Sequence, residues 1–181
     1  MLQITVPISP EGWDEVKQEF VKPEERILQL EHSLVSLSKW ESNWCKPFLT
    51  KQKKTDEEVL DYIKCMTLTR NVDPDIFNHL TNENVAAIER YIDSPMTATT
   101  VKEVGNSKPS REIVTSELIY YWMLTLGIPF ECQKWHINRL LTLIKVCNAK
   151  NSPAKKRSKS DMIRDYAAIN AANKKKFNTK G

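Results

Sequence analysis

The chain has 181 residues, 40% of them hydrophobic and 28% charged, with a formal net charge of +4. That length and composition fit one soluble domain with a sizeable core plus an appendage, not two full domains. No run approaches the roughly 18 apolar residues that span a bilayer, and the opening MLQITVPISPEGW lacks a basic leader, a long apolar stretch and a small-residue cleavage site, so neither a membrane location nor secretion is expected.

The net charge hides an asymmetry. From Lys150 onward ten basic residues face only Asp161 and Asp165, a local charge of +8, which leaves −4 for everything before it. Four cysteines, Cys45, Cys65, Cys132 and Cys147, are widely spaced without a CxxC pair. Reduced thiols in a cytoplasm, packed as small hydrophobes, are the expectation.

In chain order, LQITV and RILQLE alternate apolar and polar residues, the period of a half-buried strand. They predict an N-terminal β-hairpin, with VKQEFV extending its arms. A lone hairpin is marginal, so it must lie on a helical body or pair with another chain. Its free edge is then a candidate site for strand addition. Helical spacing begins at His32 through Leu34, Leu37, Trp40 or Glu41, and Trp44, and stops before Pro47. Thr55 with Glu58 forms a capping box for a helix whose apolar face is Val59, Ile63 and Met66 with Leu60.

A short helix near Asp75–Leu80 and another near Asn82–Ile92 follow, then a loop from Thr97 to Ser110 rich in Thr, Ser, Gly and Pro. Ser110 is placed to cap a helix that Gly127 and Pro129 stop, with Ile113, Tyr120, Tyr121, Leu124 and Ile128 along one side and Glu117 breaking the stripe. A second helix is expected from Phe130 to Asn148. The GIP connection makes these two an antiparallel pair at the centre of the core.

The domain plan is therefore residues 1–31 as hairpin, 32–149 as helical body, 150–160 as basic linker and 161–181 as a C-terminal basic helix and tail. The fold class is mainly α, with the hairpin on a multi-helix body and a separable basic helix.

No catalytic constellation stands out. Cys132 and His136 are i, i+4 if both lie on one helix, but Cys147 is too far along to join a metal site and no third group is specified, so a tucked core histidine is the simpler reading. NVDPD lacks the glycine and glutamate of a calcium loop. Walker, GxGxxG and GxSxG motifs are absent, and four glycines leave little to build them from. No cofactor is expected. The second long helix offers Gln133, Lys134, Asn138 and Arg139, side chains that read DNA grooves, but the tight connection and acidic body argue against specific DNA reading.

The tail carries the candidate sites. Met162, Ile163, Tyr166 and Ile169 form a narrow apolar stripe that a protein partner would cover. Lys155, Lys156, Arg157, Lys159, Lys174, Lys175 and Lys176 form a basic patch able to neutralise phosphates without reading sequence. Docking on an acidic surface, including a neighbouring copy, is a further possibility.

The phrases LEHSLVSLSKWESNW, CMTLT, ELIYYWML and IPFECQKWHINRLLTLIKVCN resemble tailed-bacteriophage morphogenesis proteins. The acidic helical body with a basic, detachable helix is similar to a phage tail assembly chaperone. That resemblance implies a non-enzymatic protein that holds the tape-measure protein soluble, recruits major tail protein, and self-associates. It places the chain in the cytoplasm of a bacterial host. The alternatives are a permanent structural component of the virion and a non-specific nucleic-acid-binding protein.

Overall fold

The structure is a computed structural model that describes residues 1–8, 12–14, 19–21, 24–100, 112–151 and 159–177. The chain divides into two compact units, Met1–Asn148 and Ala149–Gly181. The described residues are mainly helical, with an N-terminal antiparallel hairpin.

Strands β1 (Leu2–Pro7) and β4 (Glu25–Leu30) pair antiparallel with Ile4 opposite Leu28 and Leu2 opposite Leu30. Inside that pair, β2 (Gly12–Asp14) meets β3 (Glu19–Val21), the latter within the VKQEFV segment. The alternation decides the faces: Ile4, Val6, Leu28 and Leu30 are buried against the helices. The hairpin lies on the body.

The hairpin was expected to offer a free edge for strand addition, and its β4 edge is taken. Glu31 N–H donates to the Met66 carbonyl at 2.9 Å, Leu68 N–H to the Gln29 carbonyl at 2.8 Å, and Gln29 N–H to Thr69 Oγ1 at 2.9 Å. On β1, Asn84 Nδ2 donates to the Thr5 carbonyl at 3.1 Å. The sequence could not show this, because the covering residues lie about forty positions or more away.

Helix α1 (Leu34–Trp44) starts at the N-cap Ser33 and ends on Cys45 in the left-handed conformation. It is the central helix, touching α2 (Asp56–Met66), α4 (Ser116–Thr125) and the 3-10 helix Phe130–Lys134. Leu34, Leu37 and Trp40 are fully buried along it. This corrects the expectation that the two later helices form the centre.

Two tryptophans zip α1 to α2: Trp40 Nε1 donates to the Glu58 carbonyl and Trp44 Nε1 to Asp61 Oδ2, at 2.8 and 2.9 Å. The Thr55–Glu58 capping box is present. On α2 the buried set is Glu58, Tyr62, Ile63 and Met66, whereas Val59 is exposed. The carboxylate of Glu58 is tolerated there because Lys46 and the Thr55 N–H both donate to it, which also holds its pKa below the usual range.

The short element is a 3-10 helix, Pro74–His79, opened by Asp73, whose side chain accepts from Asp75 N–H. Helix α3 (Asn82–Asp93) buries Ile88 and Tyr91. Helix α4 begins at Ser116, capped by Thr115, not at Ser110, which lies outside the described residues. Ser116, Ile119 and Met123 face inward, and Ile113, Tyr121 and Leu124 are exposed, so the apolar side drawn from the sequence is rotated from the real one. Gly127 stops the helix at φ +65°, a conformation that costs other residues strain.

The helix expected from Phe130 to Asn148 is two elements. The 3-10 helix Phe130–Lys134 ends at Trp135, and α5 (Ile137–Asn151) begins after it. The break has a long-range cause: Ser33 and His136 form an antiparallel bridge, and Ile137 N–H donates to the His32 carbonyl at 2.8 Å. Helix α6 (Lys159–Phe177) belongs to the second unit.

Candidate functional site

The buried polar chemistry of the body gathers where α1 and α5 begin. His32 precedes the α1 cap and His136 precedes α5, and their rings stand 4.9 Å apart, edge to face. His32 Nδ1 shares a hydrogen bond with the Tyr62 hydroxyl. Its burial, with His136 beside it, pushes its pKa down to about 3. His136 Nε2 lies 2.9 Å from the Tyr91 carbonyl and so carries the proton, while Nδ1 accepts from Asn138 N–H. Burial lowers the pKa of His136 as well, although the Tyr91 carbonyl and Glu31 favour its charged form. The Tyr91 hydroxyl donates to Glu31 Oε1 at 2.7 Å.

The His136 ring is saturated. His136 has both nitrogens engaged in the neutral state, so it has no lone pair left for a metal or a substrate proton. Cys132 is buried in the 3-10 helix, across the Trp135 break from His136, so the pair does not share one helical face. Burial, with Asp61 nearby, raises the Cys65 thiol to about 11, which suppresses thiolate. All four cysteines are free. Among the described residues no group of three or more His, Cys, Asp and Glu side chains is arranged to hold a metal ion.

A second buried carboxylate is structural. Glu41 accepts from Phe48 N–H through Oε1 at 2.8 Å and from Ser116 N–H through Oε2 at 2.7 Å. It thus caps the first turn of α4 from α1, where the helix dipole favours negative charge.

A groove of about 940 Å³ opens on the body. Val114, Trp122, Leu141 and Ile144 line it with apolar surface, and Asp93 and Lys145 stand among its charged residues. Its volume is at the upper end of the roughly 300–1,000 Å³ of small-ligand pockets.

In the second unit, every described side chain from Met162 to Phe177 is exposed. The stripe residues are 39% (Met162), 68% (Ile163), 66% (Tyr166) and 55% (Ile169) exposed. They sit together on α6, as their spacing required. Lys174, Lys175 and Lys176 occupy its last turn, where they also complement the helix dipole. Lys155, Lys156 and Arg157 lie outside the described residues, as does the Lys159 side chain.

Sequence reasoning missed the His32–His136 pair and the groove. Both join residues far apart in the chain, and the only local signal was a histidine immediately before a serine cap. No helix of the described residues is long and apolar enough to cross a membrane. Compared with known protein families, curated proteins and solved structures, the chain matches none.

Proposed function

We propose that the chain is a non-enzymatic assembly factor that acts by binding protein through α6. The exposed stripe Met162, Ile163, Tyr166 and Ile169 carries this reading. A 19-residue helix whose described side chains are all exposed is marginal in water, so a partner that covers the stripe would also order the helix. Fully burying four such side chains contributes about 6–12 kcal/mol at roughly 1.5–3 each. Association costs about 4–15 kcal/mol, so one docked helix gives a weak, reversible complex, which suits a factor that must let go.

The resemblance to phage tail assembly chaperones supplies the setting: the partners would be a tape-measure protein and a major tail protein, met in the host cytoplasm. Co-expression tests it. The intact chain should keep the tape-measure protein in the soluble fraction, and Met162→Asp with Tyr166→Asp should not. Equal solubility with both forms would defeat the reading.

Non-specific nucleic-acid binding is the second reading. It is favoured by Lys174, Lys175 and Lys176 exposed beside Phe177 at one end of α6. Under it, deleting residues 150–181 removes DNA retention, and log affinity falls with log salt at about 0.7–0.9 per phosphate contacted.

A further inference from the structure

We infer that His136 is an acid-sensitive latch: protonating its ring uncaps α5 and releases the end of α3, loosening the groove wall that the two helices share. The latch lies within the unit Met1–Asn148 and is independent of the role of α6.

His136 holds two helix ends at once. It stands at the N-cap of α5: its carbonyl accepts from Leu140 N–H at 3.1 Å, and its Nδ1 accepts from Asn138 N–H at 3.3 Å. That second bond satisfies one of the orphan donors of the first turn, as capping side chains do. On the other side of the ring, Nε2–H donates to the Tyr91 carbonyl in the last turn of α3 at 2.9 Å. The capped turn extends the grip, because Asn138 Nδ2 donates to the Ile92 and Ser94 carbonyls at 3.0 and 2.9 Å. Asp93, Pro95, Asn138 and Leu141 line the groove, so this seam is part of its wall.

Only the neutral ring with its proton on Nε2 makes both contacts. A second proton, on Nδ1, turns the acceptor into a donor that confronts Asn138 N–H. It also sets a positive charge at the positive end of the α5 dipole. A serine or asparagine cap is indifferent to pH, whereas a histidine cap titrates.

The surroundings set the direction. His32 and Tyr91 each pack edge to face on the ring at 4.9 Å, Tyr62 of α2 reaches it through His32, and Cys132 is buried in the 3-10 helix before the cap. Glu31 at the end of β4 favours a charged ring, and the Met1 ammonium bound to Glu31 opposes it. Burial outweighs both and holds His136 below its ordinary pKa. The opened seam therefore takes up a proton more readily than the closed one. Opening becomes easier as pH falls below about 6.5, approaching tenfold per pH unit for one proton.

Amide exchange of the intact chain by NMR at pH 7, 6 and 5, corrected for intrinsic rates, tests this against His136→Asn, a cap that accepts but does not titrate. In the intact chain the amides of Ser94, Asn138 and Leu140 should lose protection together, by about three- to tenfold per pH unit, and stay less protected than Tyr62 and Ile63 of α2. In His136→Asn the same three amides should vary by less than about twofold per pH unit. An unchanged slope in His136→Asn overturns the inference, as do three amides that exchange only in step with α2. Should the variant not fold, the ring nitrogens of His136 in the intact chain decide. A neutral ring protonated on Nε2 at pH 7 supports the latch, and a proton on Nδ1 at that pH overturns it.

Discussion

The rings of His32 and His136 meet edge to face at 4.9 Å, at the joint where the first helix of the body and α5 begin. Each is buried and neutral, and the backbone closes the same joint through Ile137 N–H to the His32 carbonyl. A proton added to either imidazole would be desolvated, and on His136 it would confront the Asn138 N–H.

That joint makes the body acid-sensitive. Both histidines have folded-state pKa values below their unfolded value of about 6.5. The unfolded chain therefore binds more protons, so stability is complete above about pH 6.5 and falls with decreasing pH toward the folded value of about 3 for His32. Between pH 6 and 5 denaturant unfolding of residues 1–148 should show a slope approaching one proton from His32, about 1.4 kcal/mol per pH unit, with His136 adding to it in the same direction. His136→Gln should reduce it. A flat profile would show that the pair is charged or exposed.

Glu41→Gln tests the bridging carboxylate. An amide offers one acceptor where two N–H donors, of Phe48 and Ser116, converge. The loss should be about 1–3 kcal/mol by urea unfolding, the cost of an unmatched buried donor. A change under ~0.5 kcal/mol would mean that the loop repacks.

Cys45 ends α1 at φ 51°, a left-handed position where glycine is preferred, and its side chain is exposed. Cys45→Gly should raise stability by roughly 0.5–1 kcal/mol. A loss would show that its thiol contact matters more than the strain.

Because every described side chain from Met162 to Phe177 is exposed, Met162→Asp with Tyr166→Asp should leave the melting temperature of the body unchanged within about 1 °C. A larger drop would mean that the stripe is part of the core.

Local rules were sufficient where the cause is local. Period-two alternation placed Ile4, Val6, Leu28 and Leu30 inward, and the Thr55–Glu58 box set the start of α2. They failed where a distant contact decides. Ser110 and Thr115 are both capping types, and Glu41 reaching Ser116 favours the later start. Periodicity ran a helix through Trp135 because it could not see the strand-like bridge from Ser33 to His136. Tyr121 and Leu124 read as core from their apolarity alone, yet α4, which touches α1, buries Ile119 and Met123 instead. The stripe on α6 was fully legible, since only its own spacing defines it; the groove was not, since it is assembled from distant segments.

Amide hydrogen exchange across α6, with and without a bound partner, tests the central claim most directly. Alone, residues 162–169 should exchange nearly as fast as an unfolded peptide, given a helix whose described side chains are all exposed. With a protein partner, protection should centre on Met162–Ile169 while Lys174–Lys176 stay fast. Unchanged exchange at the stripe in a complex that still forms, or protection centred on the lysines with DNA alone, would contradict binding through the apolar stripe.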